Sequence, residues 1–238
     1  MKRLKKPRFL FAYPLVAWLL IVAHTTELRL RLGFSVVLLG ALLRFWANGY
    51  VGHVKVNWTQ KWRGDAKIGR LVSAGPYVFV RHPLYLGTFL IGAGFCVMVG
   101  DLWLALAALA FFLIVYRRKM TEEETMMRDE LGEAFDAYQR LVPRWLPTGR
   151  RYPHPEGAWS WQGILASKEL KTMIWLVVFS ILLYLREEFV QEHEFFSGRK
   201  WARHAVLLGI AAALIAWDAV SELRRRRAKR LARVSGSE

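Results

Sequence analysis

The sequence predicts an all-α, polytopic integral membrane protein with about six transmembrane helices. Of its 238 residues, 54% are hydrophobic, yet 35 Lys and Arg residues against 19 Asp and Glu residues give a formal net charge of +16. The apolar residues fall into blocks separated by basic stretches, whereas a soluble domain distributes them periodically. A helix needs about 20 mostly apolar residues to cross the hydrocarbon core of a bilayer. The blocks therefore predict membrane-spanning helices.

Six apolar segments are candidates for these spans. Four approach the required length, and two shorter ones are joined only by Gly100 and Asp101, which predicts a tight helical hairpin in a thin region of the bilayer or one that does not cross fully. We expect six spans, with five spans, or four and a hairpin, as alternatives. The segments are Phe9 to Thr26, Leu30 to Val51, Leu84 to Val99, Leu102 to Tyr116, Leu170 to Arg186 and Ala202 to Val220.

The long polar region lies between the hairpin and the fifth candidate span, at residues 117–167. Its first half predicts a cytoplasmic amphipathic helix, because apolar residues recur at steps of three and four. Thr121 and Glu124 form a capping box if this helix begins separately; alternatively, the hairpin helix runs straight through. Pro143 and Pro147 end the helix. The recurring residues are Met127, Leu131, Ala134, Phe135, Tyr138 and Leu141.

Lys and Arg are concentrated in alternate connections between the candidate spans. Cytoplasmic loops retain these residues, so their distribution predicts orientation. The N-tail, the second-to-third connection, the segment after the hairpin and the C-tail are basic, whereas the hairpin tip carries Asp101 and the connection from Glu187 to Glu194 is mainly acidic. We therefore expect both termini in the cytoplasm. Arg29 and Arg31 are exceptions on a connection that this scheme places outside.

The positive charge also suits nucleic-acid binding, because clustered basic residues bind phosphates. Topology and anionic lipid headgroups explain charges confined to loops beside apolar spans, and the sequence has no recognised nucleic-acid motif. The single cysteine, Cys96, lies inside an apolar segment, so neither a disulfide framework nor a cysteine-based metal site can form. We expect no nucleic-acid partner and no metal.

Two polar clusters fall at the cytoplasmic ends of the hairpin helices. The first is Gly75-Pro76-Tyr77 with the run from Arg81 to Gly87, and the second is Glu122-Glu123-Glu124. Pro83 suits the first turn of a helix, where free amides can face an anionic group, and the glutamates offer acceptors for hydroxyls or an ammonium. Separately, the clusters fit a positive-inside loop and a solvated helix face. Together they predict a site for a zwitterion with a positive centre.

The run from Gly75 to Gly87 resembles the signature of the isoprenylcysteine carboxyl methyltransferase family and of the related phospholipid methyltransferases. A second segment matches the paired glutamates, the glycine and tyrosine spacing, and the closing proline segment of that family. The likeness covers roughly Leu42 to Pro147. It is specific because two separated motifs occur in order around the hairpin. The second segment comprises Glu123-Glu124, Met127, Leu131-Gly132, Phe135, Tyr138 and Pro143-Arg144-Trp145-Leu146-Pro147.

This resemblance implies a membrane-embedded methyltransferase with a cytoplasmic active site, whose cofactor, S-adenosyl-L-methionine, enters from the cytosol. It divides the chain into N-terminal spans at 1–41, a methyltransferase core at 42–150, and a C-terminal loop, two further spans and a basic tail at 151–238. Position by position, it implies that the cofactor pocket is lined by Tyr77, His82, Pro83, Leu84, Tyr85 and Glu123, with support from Glu124 and backbone help from Gly69, Arg70, Leu71 and Val72.

The chain departs from the family pattern at several positions. Lys119 stands where the family has an arginine near the reaction centre, which keeps the charge but loses the planar fork. Leu131 replaces the usual Phe, and Phe135 replaces the usual Tyr. The two predicted spans after Pro147 have no counterpart in the core motif.

Methyl transfer from a sulfonium is an in-line displacement, so alignment and exclusion of water carry much of the rate. A carboxylate or thiolate acceptor is already anionic, and Lys119, Arg117 or Arg44 is expected to hold it. An amine acceptor must first lose a proton, for which His82 or a glutamate is the candidate base. A charged residue inside an apolar span, such as Arg44, is usually functional, unless its side chain reaches to the membrane interface. We favour a functional Arg44 whose side chain faces the hairpin.

We expect a lipid or lipid-linked acceptor, because the predicted site lies at the cytoplasmic membrane face. Trp46, Trp58, Trp62 and Trp145 flank it, and such residues settle at headgroup level. One alternative is a membrane-anchored methyltransferase of a small thiol or amine. Another is a small transporter or channel-like protein that uses Arg44, Glu187 and Asp218, although the sequence shows no internal repeat.

Overall fold

The computed structural model describes residues 25–51, 71–167, 169–191 and 200–234. This part of the chain contains seven α-helices, a short 3-10 helix and no β-strand, which confirms the all-α prediction. The predicted first span lies outside the described residues except for its last two. The helices are α1 (Glu27–Val51), α2 (Pro83–Val99), α3 (Leu102–Leu131), α4 (Glu133–Leu141), α5 (Trp161–Ala166), α6 (Glu169–Gln191) and α7 (Lys200–Val234), with the 3-10 helix at Gly75–Val78.

The chain divides into two compact units. Of the described residues, those within 27–170 form one unit, and 25–26 with those within 171–234 belong to the other. Both predicted motifs lie in the first unit, so the candidate site is built there. The C-terminal loop that follows α4 belongs to this same unit as far as residue 170.

The helices are of membrane type, but they do not establish the predicted six spans. Among the described helices, α1 and the segment Trp201–Arg224 of α7 are long and apolar enough to cross a membrane, and α2 is apolar but shorter. The uncharged stretches 102–116 in α3 and 172–185 in α6 reach only about 22 and 21 Å at 1.5 Å per residue. That is less than the roughly 30 Å of a typical hydrocarbon core.

The hairpin between α2 and α3 forms because its two-residue turn caps both helices. Gly100 has a φ of 73°, a left-handed conformation that favours glycine, and its N–H donates to the carbonyl of Cys96 at 3.0 Å. The carboxylate of Asp101 accepts from the N–H of Leu104 at 2.6 Å, as an N-cap residue does. The turn thus ends one helix and begins the next without an intervening loop.

The helix α3 continues far beyond the predicted hairpin segment, to Leu131. Of the two alternatives, the continuous helix is the one observed, and within it the hydroxyl of Thr121 donates to the Arg117 carbonyl at 3.0 Å instead of capping a new helix. Gly132, with a φ of 54°, interrupts the helix, and α4 begins at the next residue. The predicted single amphipathic helix is therefore two elements, the end of α3 and the nine-residue α4.

Glycines allow α1 and α2 to pack closely in antiparallel orientation. A Cβ added at Gly94 would lie 2.6 Å from the carbonyl oxygen of Gly33, and one added at Gly87 would lie 2.8 Å from that of Gly40. The same Cβ at Gly87 would lie 2.5 Å from Cγ of Arg44. Larger residues would push the helices apart, so these glycines keep Arg44 beside the motif end of α2.

The segment after α4 folds back onto the first motif and onto α1. The carbonyl of Glu156 accepts from the N–H groups of Ser73 and Ala74 at 2.9 and 3.1 Å. The N–H of Ser160 donates to the carbonyl of Gly49 at 2.9 Å. These bonds join residues far apart in sequence and make the loop part of the frame around the site.

Candidate active site

The first motif is held by backbone hydrogen bonds to the proline segment that closes the second motif. The N–H of Arg81 donates to the carbonyl of Pro143 at 2.9 Å, and the N–H of His82 donates to that of Arg144 at 3.3 Å. From α4, the Tyr138 hydroxyl donates to the carbonyl of Tyr77 at 2.7 Å. The two separated motifs therefore build a single site.

The start of α2 differs from the predicted cluster of free amides. The carbonyl of His82 accepts from the N–H groups of both Tyr85 and Leu86 at 3.1 Å. These donors close the first turn instead of facing a ligand. Pro83 is buried at the first helical position, as predicted, where its missing N–H removes no helix bond.

Glu124 lies buried in α3 and binds the side chains of two arginines and one histidine. His82 Nε2 lies 2.9 Å from Oε1, and Arg144 donates from Nε to Oε1 at 3.0 Å and from Nη2 to Oε2. Arg81 Nη1 lies 3.5 Å from Oε1. Burial raises the pKa of Glu124, but the hydrogen bonds from His82 and Arg144 and the charge of Arg81 outweigh burial and lower it to about 2. Glu124 is therefore an ionised structural centre.

Glu123 faces the open side of the site, with its side chain 39% exposed. The Tyr85 hydroxyl donates to its Oε1. The ring of His82 stacks on that of Tyr85, with centroids 5.4 Å apart and an interplanar angle of 17°. His82 Nδ1 lies 3.9 Å from Glu123 Oε2. The paired glutamates thus divide their roles, because Glu124 binds the protein and Glu123 can accept from a ligand.

Lys119 places a positive charge beside this group. Its Nζ lies 5.1 Å from the ring centroid of Tyr85 and 6.0 Å from that of Tyr116, within the range of cation–π attraction. The two rings meet edge to face at 5.0 Å. Lys119 and Glu123 are four residues apart on α3 and so share one face. Two predicted cofactor residues and a predicted catalytic residue therefore come together.

Aromatic side chains continue the site along the hairpin. The ring centroid of Phe112 lies 4.2 Å from that of Tyr116 and 5.2 Å from those of Phe89 and Trp145. The indole N–H of Trp145 donates to the sulfur of Met120 at 3.0 Å. This aromatic cluster, Phe89, Phe112, Tyr116 and Trp145, gives the polar site an apolar neighbour.

Arg44 faces the hairpin but is engaged by another carboxylate. Its Nε donates to Oε1 of Glu169 at 2.6 Å and its Nη2 to Oε2 at 2.9 Å, while Nη1 donates to the carbonyl of Leu84 at 3.2 Å. The guanidinium fork is therefore held by Glu169. A role for Arg44 in holding the acceptor stays a prediction.

The remaining predicted site residues have mixed positions. Val72 and Tyr77 are buried with Ala47, and Leu84 packs against them. Leu71 packs against a separate cluster around Phe135. Burial raises the pKa of Tyr77 well above its usual value, so its hydroxyl stays protonated. Gly69, Arg70, Trp58 and Trp62 lie outside the described residues.

Arg117 is exposed and lines a shallow depression on the outer face of α3 with Arg118 and Glu122. In the described part of the chain, Arg117 forms no hydrogen bond or ion pair with Tyr85 or Glu123. Its predicted role in holding the acceptor therefore has less support in the geometry than that of Lys119.

Sequence reasoning assigned no role to two residues that organise this region, Arg144 and Glu169. Arg144 was visible only as part of the closing proline segment, and its position between Pro143 and Trp145 was the available signal. Glu169 is an acidic residue at the start of an apolar helix. A carboxylate beside an apolar segment usually has a charged or polar partner, and this was the available signal. The partner of each residue, Glu124 for Arg144 and Arg44 for Glu169, depends on the path of the chain after α4. The sequence alone does not show that path.

The fold and the site define a membrane-type helical protein with a charged site at the end of a helical hairpin. Residues 28–133 match the family model described as phospholipid methyltransferase. The chain is also similar to the Protein-S-isoprenylcysteine O-methyltransferase of Schizosaccharomyces pombe, with 30% identity over 80 residues, which is 32% of this chain and 33% of the relative. These matches confirm the resemblance to the isoprenylcysteine carboxyl methyltransferase and phospholipid methyltransferase family.

A second curated relative has a different kind of name. It is the nickel-cobalt-cadmium resistance protein NccN of Alcaligenes xylosoxydans xylosoxydans, 30% identical over 90 residues, which is 38% of this chain and 42% of the relative. The matched segments thus span less than half the length of either curated relative. No solved structure matches the chain.

The residues at the hairpin end fit the cofactor that the family implies. S-adenosyl-L-methionine carries an ammonium, a carboxylate, ribose hydroxyls and a cationic sulfur. Glu123 offers a partly exposed carboxylate for the ammonium or the hydroxyls. The Tyr85 and Tyr116 rings already attract a cation. Arg81 Nε is buried without a hydrogen-bond partner among the described residues, so this part of the site also holds an unused donor.

Proposed function

We propose that this protein is a membrane-embedded methyltransferase that uses S-adenosyl-L-methionine and acts on a lipid or lipid-linked acceptor at the cytoplasmic membrane face. The observation that carries the proposal is the joining of the two motifs through side chains. Tyr85 of the first bonds Glu123 of the second, and His82 of the first bonds Glu124 of the second. The family match at residues 28–133 supports the same reaction class.

Each side chain has a distinct task in this proposal. When bound, the cofactor supplies a methyl group on a positively charged sulfur. Glu123 accepts hydrogen bonds from the cofactor and holds it in place. Glu124, fixed by His82 and Arg144, keeps the ends of α2 and α3 in register. Because in-line transfer depends on alignment, this rigidity is what the protein contributes to the rate.

The acceptor is expected to place its polar group near Lys119 and its apolar part along the aromatic cluster. Lys119 lies beside Glu123 and over the tyrosine rings, so it is positioned to hold a carboxylate or the phosphate of a headgroup. A prenylcysteine carboxylate and an amine headgroup are the two acceptor classes that this arrangement suits. Each buried methylene adds roughly 0.8 kcal/mol to membrane affinity, which leaves the polar residues free to align the reacting atoms.

The test is to incubate membranes containing the protein with methyl-labelled S-adenosylmethionine and to partition the products. We expect label in the organic phase and its loss in Lys119→Ala, because the anionic group of the acceptor loses its partner. Arg118→Ala is the matched control, since this neighbouring side chain is 85% exposed and pairs with Glu122. Label found only in water-soluble products, at full rate in lipid-free detergent, would overturn the lipid acceptor.

Orientation can be tested independently of activity. In a Cys96→Ser background, we expect Leu102→Cys at the hairpin tip to react with an impermeant thiol reagent in intact cells. Thr148→Cys, beyond the closing proline segment, is expected to react only after lysis. Both positions are exposed in the structure. The reverse pattern would place the site on the opposite membrane face and contradict entry of the cofactor from the cytosol.

A further inference from the structure

Glu169 and Arg44 form a buried pair in the unit that contains the site. The side chain of Glu169 is 4% exposed and that of Arg44 is 19% exposed. Besides its two bonds to Arg44, the carboxylate accepts from Nδ2 of the buried Asn48 at 2.8 Å. Glu169 lies outside the segment 28–133 that matches the family model. A residue outside the matched segment thus contacts the buried interior of this unit.

The other side of Arg44 contacts the first motif. Nη1 donates to the carbonyl of Leu84, which lies between Pro83 and Tyr85 in the first turn of α2, and to the hydroxyl of Thr88 one turn later. Gly87 leaves room for this arrangement, because a Cβ there would lie 2.5 Å from Cγ of Arg44. The guanidinium therefore binds Glu169 on one side and the motif end of α2 on the other.

We propose that Glu169 and Arg44 form a clamp that positions the first turn of α2, and with it His82 and Tyr85, for the cofactor. This inference rests on the proposed function and deepens it, since it makes Glu169 a positioning residue for the same site. A planar guanidinium can serve four hydrogen bonds in fixed directions, which the ammonium of a lysine cannot reproduce. The carboxylate of Glu169 fixes that orientation.

A clamp and a purely structural ion pair predict different results for a neutral replacement of both partners. Glu169→Gln leaves the Arg44 charge buried without its counter-ion, so both the unfolding midpoint and the affinity for S-adenosylhomocysteine should fall. Apolar replacement of both members of a buried pair often restores stability. In Arg44→Met/Glu169→Met we expect the midpoint to recover while affinity stays about tenfold below wild type, because this double variant lacks the hydrogen bonds of Arg44 to Leu84 and Thr88.

The matched control is Glu27→Met/Arg31→Met, which removes a Glu–Arg pair from α1, the helix that carries Arg44. Both of these side chains are 75% exposed, so unfolding midpoint and affinity should stay unchanged. Recovery of both stability and wild-type affinity in Arg44→Met/Glu169→Met would overturn the clamp and leave a structural ion pair.

Thr88→Val decides the question if the double variant does not fold. It keeps the ion pair and removes the hydrogen bond of Arg44 to Thr88, so the unfolding midpoint should fall slightly and affinity should fall about threefold, within the range for one hydrogen bond. Wild-type affinity in Thr88→Val would contradict the clamp. Failure of the wild-type protein to bind S-adenosylhomocysteine would contradict the proposed function itself, which separates the two outcomes.

Discussion

Replacement of Glu124 by glutamine is expected to lower the free energy of unfolding by about 3–5 kcal/mol, the range for removal of one partner from a buried ion pair. Arg81, His82 and Arg144 would then surround a neutral amide. The two guanidinium groups would lack the carboxylate that compensates their charge. Chemical unfolding of the purified protein in detergent measures the change. Glu122→Gln is the matched control, since its carboxylate pairs with the exposed Arg118 and should change stability by no more than about 0.5 kcal/mol.

The same carboxylate predicts a pH dependence. Its pKa is lowered from 4.5 to about 2 in the folded protein, so its stabilisation is complete above about pH 4.5 and is lost as the pH falls towards 2. The stability difference between wild type and Glu124→Gln should therefore shrink across this window. A difference that stays constant from neutral pH to pH 2 would show that ionisation of Glu124 does not hold the motifs together.

Glu123→Gln is expected to weaken binding of S-adenosylhomocysteine by about 1.5–3 kcal/mol, or roughly 10- to 150-fold, as for loss of a charge-assisted hydrogen bond. Its stability should change little, because the side chain is 39% exposed and no arginine in the described part of the chain forms an ion pair with it. Titration calorimetry on the purified variant gives the affinity, with Glu122→Gln again as control. Unchanged affinity in a folded Glu123→Gln variant would mean that this glutamate is structural.

The hairpin, and the meeting of the two motifs at one end of it, could be predicted from the sequence. The residues that determine the turn lie next to each other in the chain. Gly100 and Asp101 carry the capping chemistry themselves, and Pro83 marks the helix start. The continuation of α3 past Thr121 could not be decided from the sequence, because Thr121 and Glu124 suit both a new cap and a continuing helix. Extending an existing helix avoids the cost of nucleation, and that decides between them.

The contents of the site were only partly visible in the sequence. The two-residue turn predicted that the motif run and the glutamates meet, and the bonds from Tyr85 to Glu123 and from His82 to Glu124 are the result. The partner of Arg44 is Glu169, 125 residues later in the chain. The periodicity of apolar residues predicts helices but not contacts between residues so far apart. Arg144 was likewise unforeseen, since its bond to Glu124 depends on the path after α4.

Direct binding of S-adenosylhomocysteine to the purified wild-type protein tests the central claim most directly, because every proposed role presumes a cofactor at the hairpin end. We predict saturable binding at one site per chain, weakened in Glu123→Gln and retained in Glu122→Gln. Absence of saturable binding by wild-type protein that still unfolds cooperatively would contradict the methyltransferase assignment.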